Sequence, residues 1–213
     1  MIPGTIHTNQ GELSFELPTS WKDITVSQLI TMQKEELSNT DMLVLLTGLE
    51  EWYDAPLGFV VEWTAKLAPL YKEKAIDWFT LPVERTVTLG GKEIEYPKDI
   101  TVAPGRAVEN LRNEIELLAK QENPNQLNII PTTLALLAVK PYYGKYGLDG
   151  YDKAQELLPL VNKMPAAIGF PLANFFLGVS KKRPKSGPNS LGINLLRNKL
   201  KQAYKSLQGS EAS

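Results

Sequence analysis

Val83-Glu84-Arg85-Thr86-Val87-Thr88-Leu89-Gly90-Gly91-Lys92-Glu93-Ile94-Glu95-Tyr96-Pro97 is the stretch from which the fold can be read. Two runs of alternating residues flank a glycine pair, the pattern of a β-hairpin closed by a two-residue turn. Pro97 ends the second strand because it has no N–H to give to a ladder. Asp99-Ile100-Thr101-Val102 follows, and then Arg106 to Gln121 carries Val108, Leu111, Ile115 and Leu118 on one helical stripe, which Asn123-Pro124-Asn125 breaks. The same order occurs nearer the N-terminus, where Phe15-Glu16-Leu17-Pro18 precedes Asp23-Ile24-Thr25-Val26 and a helical pattern. Leu43-Val44-Leu45-Leu46 returns as Leu134-Ala135-Leu136-Leu137, and Ala68-Pro69-Leu70 as Leu158-Pro159-Leu160, at offsets of 91 and 90. Helix-start vocabulary alone can produce such echoes, because the same residue types cap many helices. The held spacing favours an internal duplication, with halves of about 1–82 and 83–180. An edge-to-edge union of the two hairpins into one sheet would then remove exposed edges and give a pseudo-twofold domain.

Around these anchors the remaining elements fall into place. A first hairpin is expected from Thr5–Thr8 and Glu12–Leu17 around Asn9-Gln10-Gly11, with Phe15 and Leu17 on one face. A helix capped by Thr25 or Ser27 runs to about Leu37, and a second, capped by Asp41, ends at Gly48. A third spans Ala55 to Leu70, with Phe59, Trp63, Leu67 and Leu70 on its stripe. Helices at Thr132–Val139, Tyr151–Val161 and Pro165–Val179 complete the body. The fold class is mainly α (α+β): one helical domain, residues 1–180, with two short hairpins. Residues 181–191 read as a basic Pro/Gly linker. Residues 192–213 read as a basic amphipathic helix, with Ile193, Leu196, Leu200, Ala203, Tyr204 and Leu207 at helical spacing.

The chain has 213 residues, 43% of them hydrophobic, which is enough for one good core. It lacks cysteine, so disulfides, thiolate metal sites and a cysteine nucleophile are excluded. Met1 to Leu17 alternates polar and apolar residues and does not read as a signal peptide, so a cytosolic location is expected. Met164 to Ser180 is uncharged, but Pro165, Gly169, Pro171, Asn174 and Gly178 interrupt it, and a buried helix is expected there in place of a membrane span. Residues from Lys181 on carry eight basic side chains and one acid, Glu211, which leaves the body acidic.

Catalytic chemistry finds little footing. The single histidine, His7, falls in the first strand, where a surface position is expected. Glu35 with Glu36, Glu50 with Glu51, and Glu114 with Glu116 read as solvated helix faces and not as paired acids. No phosphate-binding glycine loop, dinucleotide fingerprint or serine elbow occurs. No catalytic residue, metal ligand or cofactor is assigned, and the chain is read as a non-enzyme. Aromatic residues cluster at Trp52, Tyr53, Trp63, Trp78 and Phe79, for which core packing is the plain reading. A second cluster, Tyr142, Tyr143, Tyr146 and Tyr151, lies in a glycine-rich connection, where exposed tyrosines would anchor a protein partner. In the basic segment, Lys181, Lys182, Arg183, Ile193, Leu196, Arg197, Leu200 and Tyr204 are the candidate contacts. They suit docking to a protein. The acidic body would repel phosphate, so nucleic acid would be bound through this segment alone. The same acidity offers a site for a neighbour's basic segment, and so for self-association.

Leu17-Pro18-Thr19-Ser20-Trp21-Lys22-Asp23-Ile24-Thr25-Val26-Ser27-Gln28, then Leu45-Leu46-Thr47-Gly48, resembles small proteins encoded in the structural modules of tailed bacteriophages. Leu136-Leu137-Ala138-Val139-Lys140-Pro141-Tyr142-Tyr143 and Phe175-Phe176-Leu177 are similar to the same class, so the resemblance touches most of residues 12–180. It implies a tail assembly chaperone, or a minor virion component such as a connector or tail protein. The implied partner is a tape-measure, tail-tube or neighbouring virion protein, met in the host cytoplasm during assembly or in the virion. The class supplies no catalytic residues, and residues 181–213 lie outside the resemblance.

Overall fold

The structure, a computed structural model, describes residues 1–8, 11–34, 37–68, 81–121 and 126–178. The expected turn residues Asn9 and Gln10, Leu70, Trp78, Phe79, Asn123-Pro124-Asn125 and the basic segment 181–213 lie outside the described residues. Among the described residues, seven α-helices and two antiparallel two-stranded sheets make the protein mainly α with some β. The chain divides into two compact units, Met1–Ile76 with Pro165–Ala167, and Asp77–Met164 with the residues from Ile168 on.

In the first unit, β1 (Ile2–Thr8) pairs with β2 (Gly11–Leu17) in the register Gly4↔Phe15 and His7↔Glu12. A 3-10 turn at Trp21–Asp23 leads into α1 (Val26–Lys34). Thr25 and Gln28 cap α1 reciprocally: the Thr25 backbone N–H donates to Gln28 Oε1 at 2.9 Å, and the Gln28 N–H donates to Thr25 Oγ1 at 3.3 Å. Gln28 Nε2 also donates to the carbonyls of Leu45 and Leu46, at 3.0 and 3.3 Å, satisfying the C-terminal end of α2 (Asn39–Thr47). One glutamine therefore closes the start of one helix and the end of the next. The N-cap of α2 is Ser38, with the expected cap Asp41 sitting three residues inside as the other half of a capping box. The helix ends at Gly48 in the left-handed region. A 3-10 turn, Glu50–Asp54, separates it from α3 (Leu57–Ala65), which begins later than the sequence suggested because Pro56 suits the position before the first turn. Pro165–Ala167 returns to this unit, where the Ala166 N–H donates to the Ile24 carbonyl at 2.8 Å.

Aromatic rings fill this unit. Phe15 meets Trp52 and Trp63 edge-on, with centroids at 5.2 and 4.8 Å, and Phe59 stacks on Trp52 at 5.5 Å. Trp52 Nε1 donates to Thr47 Oγ1 at 2.9 Å, so its one polar atom is satisfied while the ring is fully buried. Gly4 makes the cluster possible. A Cβ there would stand 2.4 Å from both Phe15 Cζ and Trp63 Cη2, so only a bare backbone lets the two rings close over β1.

In the second unit, β3 (Thr86–Leu89) and β4 (Lys92–Glu95) form the expected hairpin. Gly90 and Gly91 adopt φ of 58° and 80°, as a two-residue turn of this hand requires. A 3-10 turn at Ile100–Val102, capped by Asp99, precedes α4 (Gly105–Ala119). A second short turn, Gln126–Asn128, leads to α5 (Ile129–Tyr143), followed by α6 (Gly150–Asn162) and then α7 (Ala166–Phe176), whose first two residues count with the first unit. From Thr133 to Val139 every residue of α5 is buried, as are Ile129 and Ile130. Thr133 spends its hydroxyl on the Ile129 carbonyl, 2.7 Å away, so α5 brings no unpaired side-chain polar group into the core. No helix among the described residues is long and apolar enough to cross a membrane. Within Met164–Ser180, Ala166, Phe170, Leu172 and Ala173 are wholly buried.

The two units share the order hairpin, 3-10 turn, helix, helix. Among the described residues each hairpin nevertheless forms its own two-stranded sheet, in place of the single joined sheet that the duplication would have allowed. Each hairpin spends its apolar face within its own unit, Phe15 on the tryptophans and β4 against α5. The shared tetrapeptide Asp-Ile-Thr-Val also takes two forms. Asp23 closes its 3-10 turn and Ile24 and Val26 are fully buried, whereas Asp99 opens its turn and Val102 is 62% exposed.

Gly4→Ala is expected to cost about 1–3 kcal/mol, because the added methyl must displace two packed rings. Gly58 in α3 has open space around its Cβ position, so Gly58→Ala should stabilise by about 1 kcal/mol through helix propensity. Urea unfolding of both variants beside the parent checks the pair, and equal effects at the two sites would contradict the packing described.

Candidate interaction surface

The four tyrosines singled out in the sequence are not four free anchors in a loop: Tyr142 and Tyr143 meet edge-on at 5.0 Å, while Tyr146 and Tyr151 turn to α4. Helix α5 runs through Pro141 to Tyr143, four residues beyond its expected end, so Tyr142 and Tyr143 belong to its last turn, and Tyr151 lies in the first turn of α6. Only Gly144–Asp149 connects the helices. A proline in a final turn removes one hydrogen bond near the end of the ladder, which the rest of the buried helix tolerates.

Each tyrosine fastens a different neighbour. The carbonyl of Tyr142 accepts from Lys92 Nζ, whose charge also sits 5.0 Å from the Tyr142 ring centroid, and the tip of the β3–β4 hairpin thereby meets α5. Tyr143 donates its hydroxyl to Glu156 Oε2 of α6 at 2.9 Å. Tyr146, expected to be exposed, is 6% exposed and accepts from Asn110 Nδ2 of α4 at 2.9 Å. Its ring covers Gly150, where a Cβ would come within 2.3 Å of the ring carbons. Tyr151 donates to Glu114 Oε1 of α4 at 2.6 Å. Asn110 and Glu114 are four apart and so share one face of α4, which holds the α5–α6 connection at two points.

These contacts shape the tyrosine acidities. The hydrogen bond to Glu114, followed by burial, pushes Tyr151 up to about 12. Burial, then the Glu156 carboxylate, raises Tyr143, and burial raises Tyr146. Asp149, bonded by Lys153 Nζ at 2.7 Å, is held below the usual carboxylate range by that bond.

Among the exposed side chains of this connection, which include Lys145 and Asp149, one is large and apolar. Leu148, in the connection, is 85% exposed, and the rims of Tyr143 and Tyr151 are partly exposed beside it in sequence. Sequence reasoning missed Leu148, and missed Lys92, Asn110, Glu114 and Glu156 as fasteners. The spacing of Asn110 and Glu114 at the border of the Leu111–Ile115 stripe was the available signal. The basic candidates Lys181, Lys182, Arg183, Ile193, Leu196, Arg197, Leu200 and Tyr204 lie outside the described residues.

On the other side of the ledger of chemistry, His7 is exposed on β1, its Nδ1 3.1 Å from Glu12 Oε1 across the strand pair. Among the described residues no three acidic or imidazole side chains converge to hold a metal ion. Compared with protein-family models, with curated proteins and with solved structures, the chain matches none.

Tyr151 is expected to lose its proton near pH 12, above the ordinary tyrosine value of 10.0, with Glu114→Gln returning it toward that value. Because the folded-state value is the higher one, the contribution of this bond to stability is whole below about pH 10 and is lost as pH rises through about 12. Ring-carbon NMR on labelled tyrosine, with Tyr151→Phe for assignment, reads the titration directly. Ionisation of Tyr151 together with the exposed tyrosines would contradict the bond.

Proposed function

We propose that this chain is a noncatalytic, chaperone-like assembly protein of a tailed phage, which binds a larger structural protein such as a tape-measure or tail-tube protein in the host cytoplasm. The observation that carries this reading is the α5–α6 connection, which offers Leu148 at 85% exposure while tyrosine hydroxyl bonds to Asn110 and Glu114 hold it still. An apolar side chain on a fixed support loses little conformational freedom on binding, which favours its use as an anchor. The Leu17–Gln28 and Leu136–Tyr143 resemblances point to the same kind of protein. A permanent virion component would use the same surface, and the two readings differ in where the protein ends up.

Full-length protein should retain a tape-measure, tail-tube or neighbouring virion protein from nuclease-treated phage-infected lysate, and Leu148→Asp should retain at least about tenfold less. Mass spectrometry of purified particles then separates the readings: a chaperone is absent from them and a virion component is present. Equal capture by the parent and Leu148→Asp would remove the connection as the binding surface.

A further inference from the structure

Helix α3 is apolar on two sides. Val60 and Trp63 face the aromatic cluster, while Leu57 and Val61, one turn apart, are 78% and 51% exposed. Ala65 continues that outer row and is also exposed, and Tyr53, just before the helix, is 59% exposed with its hydroxyl donated to Asp41. Asp54 and Glu62 are exposed close to this row in sequence. Two large aliphatic side chains exposed one turn apart, with an exposed tyrosine four residues before the first, mark a contact surface more than a solvated face.

Charge indicates what covers it. Residues 1–68 hold ten acidic side chains against three Lys or Arg, residues 69–180 hold thirteen against twelve, and residues 181–213 hold one against eight. The acidic and basic surpluses therefore sit at opposite ends of the chain, around a nearly neutral middle. In the basic segment, Ile193, Leu196, Leu200 and Tyr204 fall within one narrow helical stripe, and Arg197 and Lys199 fall on either side of it. An apolar row among acids and an apolar row among bases are complementary in both respects. Like charges at Lys181, Lys182, Arg183 and Lys185 disfavour a tight turn back by mutual repulsion, and the eleven residues 181–191 are enough chain to span roughly 35 Å. That favours delivery of the stripe to a neighbour.

We propose that the outer row of α3, Leu57 and Val61, together with Tyr53 of the turn before it, is the docking site for the C-terminal stripe Ile193, Leu196, Leu200 and Tyr204 of a second copy of this chain. The contact is heterologous, so a docked pair still offers one free row and one free basic segment, and assembly proceeds head to tail. It stands independently of which larger protein the chain serves.

The test uses three full-length proteins in sedimentation velocity over a concentration series at low and high salt: the parent, Leu57→Ser/Val61→Ser, and Leu196→Ser/Leu200→Ser. The parent should grow in mass with concentration beyond a dimer and lose at least about tenfold in affinity at high salt. Each double variant alone should run as a single chain, with an unchanged circular dichroism spectrum for the α3 pair. Mixed, the two variants should form a one-to-one pair and nothing larger, because one supplies the row and the other the stripe. A charge-reversed segment, Arg197→Glu/Lys199→Glu, should weaken the parent's association by at least about tenfold. A parent that stays a single chain throughout would overturn the proposal. So would association lost with the α3 pair but kept with the C-terminal pair, which would mean α3 pairs with itself. A mixture that never pairs would overturn it as well.

Discussion

A helix without a solvent face constrains everything around it. From Thr133 to Val139 α5 shows water nothing, so α4, α6 and β4 must each give it an apolar surface. They do so with the alternating face of β4, the Leu111–Ile115–Leu118 stripe of α4, and Ala154, Leu157 and Val161 of α6. Full burial also dictates which polar groups are tolerated, and Thr133 is admitted because its hydroxyl closes on its own helix. Where α5 emerges, at Lys140, the chemistry changes at once from aliphatic packing to tyrosines and charges.

That change explains the candidate surface. Tyrosine suits a boundary because its ring packs while its hydroxyl reaches a polar partner. Tyr146 takes this to the limit with a buried ring and a bonded hydroxyl, whereas Tyr143 and Tyr151 keep a rim in solvent. The same bonds that remove the hydroxyls from use by a partner immobilise the backbone that carries Leu148. Rigidity and exposure are thus separated onto different residues.

The first unit solves the same problem with rings in place of aliphatic side chains. Phe15, Trp52, Phe59 and Trp63 interlock through edge-on and stacked contacts, and Gly4 supplies the space by having no side chain. Trp63 marks the limit of this economy: its buried indole N–H has no hydrogen-bond partner among the described residues, while Lys66 lies 3.4 Å from the ring centroid. Gln28 ties this unit's helices together by bonding within its own turn and across to α2.

The sequence by itself determined what depends on near neighbours along the chain. The Gly90-Gly91 turn, the α4 stripe, the stop at Gly48 and the helical weight of the fold follow from periods and caps that span a few residues. It also fixed the separation of charge between the two ends. Only the tertiary structure decided that each hairpin keeps a two-stranded sheet of its own, that the Ile and Val of identical Asp-Ile-Thr-Val segments are buried in one unit and not in the other, and that Tyr146 points inward while Leu148 and Leu57 remain in water. Those outcomes depend on which distant element stands opposite each residue. A period describes a face, but burial is a property of two faces meeting.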